Sequence, residues 1–86
     1  MAKLLCNGIS YRQGYVEVTP NIHKGYINIE TWMIHPDHMC AGKEFDEIVA
    51  SDDAVRSNTE LELTIETATA LIRLLQAEIH KAKDAS

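Results

Sequence analysis

The sequence predicts an α+β fold: an antiparallel β-meander of three to four strands packed on one C-terminal amphipathic α-helix. Segments of period-two alternation recur at 15–19, 26–34 and 59–63, and Pro, Gly and Asn separate the first two at a hairpin interval. The last third carries an apolar stripe of helical period. Eighty-six residues correspond to one domain, 1–86. A chain this short buries roughly 60–65 % of its unfolded surface, so its core is thin and association is a common supplement. Apolar residues make up 45 %, which is ordinary for a globular chain and too high for a disordered one.

The elements follow in order. Leu4 and Leu5 precede Asn7-Gly8, a dipeptide that tolerates positive φ and marks a tight hairpin, with Ile9-Ser10-Tyr11 leading out of it. Arg12-Gln13-Gly14 reads as a further turn or bulge. Residues 15–19 alternate, with Val16 and Val18 on one face. Pro20-Asn21 ends that strand, and Lys24-Gly25 completes a loop. Residues 26–34 form the clearest strand. Ile27, Ile29, Thr31 and Met33 point one way; Tyr26, Asn28, Glu30, Trp32 and Ile34 point the other. The first set is expected to face the core, because the second carries Asn28 and Glu30.

Pro36 ends this strand, and residues 35–58 are the least regular stretch. Residues 44–50 predict a short helix that packs through Phe45 and Ile48. Ser51-Asp52-Asp53 resembles an N-cap cluster, predicting a helical turn over 52–57. Residues 59–63 alternate again, with Leu61 and Leu63 inward, beside the 26–34 strand. Thr64 then caps a helix whose stripe is Ile65, Ala68, Leu71, Ile72, Leu75 and Ile79. Such a helix is marginal alone, so the stripe is expected to lie on the sheet.

The net charge of −5 is unevenly spread. Residues 1–43 sum to +1, residues 44–63 to −6, and residues 64–86 to zero. A field of this sign repels nucleic acid and attracts basic surfaces, which argues against direct nucleic-acid binding. Two cysteines, Cys6 and Cys40, are fewer than a small secreted scaffold uses, so free thiols in a cytoplasmic protein are expected. The first apolar run is too short for the core of a signal peptide, and no stretch approaches the roughly 18 apolar residues of a membrane span. Glycines 8, 14, 25 and 42 stand singly, and no phosphate-cradling motif is present.

Three constellations are candidates for function. The first is the acidic stretch, with Glu44, Asp46, Glu47, Asp52 and Asp53 as a docking face for a basic partner. The second is an outward aromatic patch of Tyr15, Tyr26 and Trp32, suited to a protein partner or a homodimer; the competing arrangement folds residues 44–58 over Trp32. Together they predict a non-enzymatic protein-interaction module. It would act as an inhibitor occupying the surface of a basic, nucleic-acid-binding protein, a type common in phage and mobile elements. The third is His35, Asp37, His38 and Cys40, whose imidazole, carboxylate and thiol groups suit zinc. No cofactor is expected on the first reading; zinc belongs to this alternative. Its spacing lacks a second ligand pair. Cys40 beside His35 or His38 would also form a nucleophile–base pair, without an evident third group to orient the base.

Overall fold

A computed structural model describes residues 2–50 and 53–85. Four strands form one sheet: β1 (Ala2–Cys6), β2 (Gly14–Pro20), β3 (Ile27–Ile34) and β4 (Val55–Leu63). They lie in the order β1-β2-β3-β4, and every neighbouring pair is antiparallel, so the sheet is a meander. A short helix, α1 (Phe45–Val49), interrupts the β3–β4 connection, and a long helix, α2 (Ile65–Ala85), follows β4. The α+β meander with its C-terminal helix is as the alternation and the apolar stripe predict.

The β1–β2 connection differs from the expected hairpin. Cys6 pairs with Gly14, so residues 7–13 all lie in the connection, and Ser10–Arg12 coil into a single 3-10 turn. Gly8 does not take the positive φ that a two-residue turn at Asn7-Gly8 requires. Gly14 sits where β2 passes so close to β3 that a Cβ would lie 1.9 Å from the Trp32 carbonyl oxygen. The β2–β3 hairpin is closer to expectation. Asn21 and Gly25 take positive φ (61° and 85°), and the Gly25 amide donates to Asn21 Oδ1 at 3.0 Å.

Alternation and register divide the sheet into two faces. On one, Tyr15 pairs across to Trp32, followed along the strands by Glu17 and Glu30. On the other lie Val16, Val18, Ile29 and Thr31 of the same two strands. The core sits on the first face, which reverses the expectation that Ile27 and Ile29 mark the core side. Residues 35–50 fold over the Tyr15–Trp32 end of this face and, with Ala54, bring Ile48 and Cys40 against Tyr15 and Ile34. Ile34 is 1 % and Ile48 0 % exposed. This is the arrangement in which the irregular segment covers Trp32. The expected helical turn over 52–57 is not formed in its described part: Asp53 and Ala54 make a turn, and β4 begins at Val55, while Asp52 lies outside the described residues. A register shift between Met33 and Ile34 accommodates the entry of β4.

The position of α2 is the main departure. Thr64 caps it as expected, its Oγ1 accepting the Thr67 amide at 3.0 Å. Thr64 is also the single residue between β4 and α2, whereas a strand-to-helix reversal normally uses two to six. A capped helix leaving on so short a joint cannot turn back over its own sheet. Ile65, Ile72, Leu75 and Ile79 are therefore exposed, and no residue of α2 is buried. The stripe does not lie on the sheet. No helix is long and apolar enough to cross a membrane among the described residues.

Candidate functional site

The polar half of the core-bearing face holds a feature that composition alone does not reveal. Glu17 on β2 pairs with Glu30 on β3, and Glu30 pairs with Glu60 on β4. Three carboxylates therefore stand side by side across the strands, about 5 Å apart at their Cβ atoms. Like charges directly opposite one another destabilise a sheet, so this row carries a folding cost.

The neighbours relieve it only at the middle member. Lys3 lies opposite Glu17 in the register, but its Nζ turns to Asp46 Oδ1 at 3.7 Å and sits 4.3 Å from the centre of the Phe45 ring. Glu30 accepts a hydrogen bond from Asn58 Nδ2 at 3.0 Å. Glu17, although 8 % exposed, has no hydrogen-bond or ion partner among the described residues. Next along β3 is Asn28, 2 % exposed, whose Oδ1 also finds no partner among the described residues. The adjoining Glu62 meets His23 Nδ1. Buried acceptors without donors are costly in isolation and are the chemistry that receives a guanidinium or ammonium group.

The residues singled out from sequence divide around this row. Glu44, Asp46, Glu47 and Asp53 are exposed on the segment that carries α1, and Asp52 lies outside the described residues. The expected aromatic patch is not assembled. Tyr15 is buried, its ring edge-on to Phe45 at 5.0 Å, and its hydroxyl donates to the Lys43 carbonyl at 3.2 Å. Trp32 packs edge-on against the same Phe45 at 5.5 Å. Both aromatics are committed to the core because Phe45 folds onto them; Tyr26 remains exposed. Burial, reinforced by the nearby Cys40 and Glu44, pushes the Tyr15 phenol above its ordinary range.

The His35–Cys40 cluster is not assembled into a metal site among the described residues. No three His, Cys, Asp or Glu side chains converge on a common point among the described residues. Residues 35–40 form a turn held through their main chain. Gln13 Nε2 donates to the carbonyls of both His35 and His38 at 2.6 Å, and the His38 amide donates to the His35 carbonyl at 3.0 Å. His35 and Asp37 are left exposed, while Cys40 turns inward. Burial raises the Cys40 thiol pKa, against a smaller lowering by Lys43. A buried thiol with a raised pKa is a poor nucleophile. Both cysteines are free, Cys6 exposed and Cys40 buried.

Two residues here were missed from sequence. Glu17 and Gln13 were read as the polar half of a strand and as a turn residue. The signal for Glu17 was available: alternation alone places it on the face shared by Glu30 and Glu60. Gln13 had none, since its partners are carbonyls more than twenty residues away. Comparison with family models, curated proteins and solved structures finds no match to this chain.

Proposed function

We propose that this chain is a non-enzymatic protein-interaction module that receives a basic segment of a partner on the carboxylate row of β2, β3 and β4. The observation that carries the reading is the register of the row: Glu17, a residue 8 % exposed whose carboxylate has no partner among the described residues, stands in line with Glu30 and Glu60. A guanidinium inserted there would give Glu17 its donor and screen the row. Folding cost would be exchanged for binding energy. The exposed Glu44, Asp46, Glu47 and Asp53 would steer a positively charged partner from a distance. A surface of this chemistry competes with nucleic-acid phosphate for a nucleic-acid-binding protein, and inhibition of such a protein is the activity proposed.

Titration with an arginine-rich peptide by calorimetry tests it. Binding should weaken steeply as salt rises, and Glu17→Gln should weaken it at least about tenfold, since the charge at the end of the row is lost. Glu78→Gln on α2, remote in sequence from the row, should leave binding unchanged. Equal binding by Glu17→Gln and the unaltered chain refutes the site.

A further inference from the structure

The opposite face of the sheet and the stripe of α2 are both apolar and both uncovered. Cross-strand register places Leu4 beside Val16, and Val18 beside Ile29 and Leu61. None of these carries a charge, none is buried, and Leu61 is 69 % exposed. On α2, Leu75 of the stripe is 53 % exposed. Half a core is present twice on one chain, and the one-residue joint at Thr64 keeps the halves apart.

The exposed area measures the deficit. The chain presents 6501 Å² to solvent, whereas a folded monomer of its mass presents about 5,100 Å². Its radius of gyration is 14.6 Å, against about 12 Å for a compact chain of this length. The excess of about 1,400 Å² per chain, counted for two chains, falls in the range of obligate homodimer interfaces, roughly 2,000–5,000 Å² in total.

We infer that the chain forms a homodimer by reciprocal exchange, each α2 lying across the apolar sheet face of the other copy. The dimensions agree. Twenty-one helical residues span about 31 Å, and the nine-residue strand β4 spans about 30 Å. Charge agrees as well. Two chains of net charge −5 repel one another, but the carboxylates of Glu17, Glu30 and Glu60 project from the other side, so the contact buries none of them. This surface is separate from the carboxylate row, and the dimer does not depend on what that row binds.

Sedimentation equilibrium of the purified chain, with variants, tests the exchange. The expected species has twice the chain mass of 9.6 kDa. Leu61→Lys on the sheet and Leu75→Lys on the helix should each weaken association at least about 30-fold. Leu74→Lys should not: Leu74 is as exposed as Leu75 but lies about 100° around the helix, off the stripe. On the unaltered chain, amide exchange along α2 should slow as concentration rises, a readout that needs no variant. A monomer at about 100 µM overturns the inference. So does normal association of either Lys variant, which would mark helix-to-helix or sheet-to-sheet pairing instead.

Discussion

Truncating Ile48 to alanine should loosen α1 and the residues packed with it over the sheet. Ile48 lies on a five-residue helix, is 0 % exposed, and fills the space between Tyr15, Ile34, Cys40 and Ala54. The substitution removes three carbons, about 2.4 kcal/mol by transfer alone. The cavity left beneath a helix anchored by few other contacts raises the cost to about 3 kcal/mol. An 86-residue domain has a total stability of about 4–13 kcal/mol, so this is a substantial share. The melting temperature should fall by about 12–24 °C. Trp32, the single tryptophan, stacks edge-on to Phe45 and so reports on the same segment. Urea titration followed by its fluorescence should show a lower midpoint and a red-shifted native baseline. Leu74→Ala, on the exposed side of α2, should stay within about 0.5 kcal/mol of the unaltered chain. A loss below about 1 kcal/mol for Ile48→Ala would show that the segment is held by something other than this core.

Gly14→Ala should cost about 3 kcal/mol or more, since its Cβ would meet the Trp32 carbonyl oxygen at 1.9 Å and backbone cannot give way cheaply; Gly8→Ala, with open space around it, should be neutral, as paired thermal melts would show. The neutral forms of Tyr15 and Cys40 are favoured by burial, so their contribution to stability is complete below the unfolded values of 10.0 and 9.0 and is lost as pH rises through these toward the raised folded values. Tyr15→Phe should therefore cost about 1 kcal/mol at neutral pH, through loss of the bond to the Lys43 carbonyl, and should flatten the decline in melting temperature above pH 9. With a maleimide probe, Cys6 should label in the native state and Cys40 only after unfolding; native labelling of Cys40 would reopen its candidacy as a nucleophile.

Local pattern was enough to predict β2, β3, α1 and α2, because each obeys a periodicity set by its own backbone. The Thr64 cap was legible for the same reason: its partner lies three residues away. What failed was the choice of covered side. Ile27 and Ile29 look like core on hydropathy, but Phe45 and Ile48 arrive on the face of Trp32 and Ile34 instead. That outcome depends on Gln13 fixing the turn at His35 through two carbonyls, a contact with no trace in composition. The site was half legible. An acidic docking surface was expected, yet its buried member, Glu17, lies outside the 44–63 stretch in which the negative charge is concentrated. Register, which joins residues thirteen and thirty apart on one line, brings it to Glu30 and Glu60.

An open meander has two rims, here β1 and β4, each with a row of main-chain groups able to recruit another strand. Polymerisation rim to rim is the standing hazard of such a sheet, the more so beside a bare apolar face. Arg56, Glu60 and Glu62 on one rim and Lys3 on the other act as gatekeepers against it, since a charged side chain on a rim strand disfavours its burial between two sheets. Neutralising Glu60 and Glu62 together would leave Arg56 as the only charge along β4 and so favour pairing rim to rim.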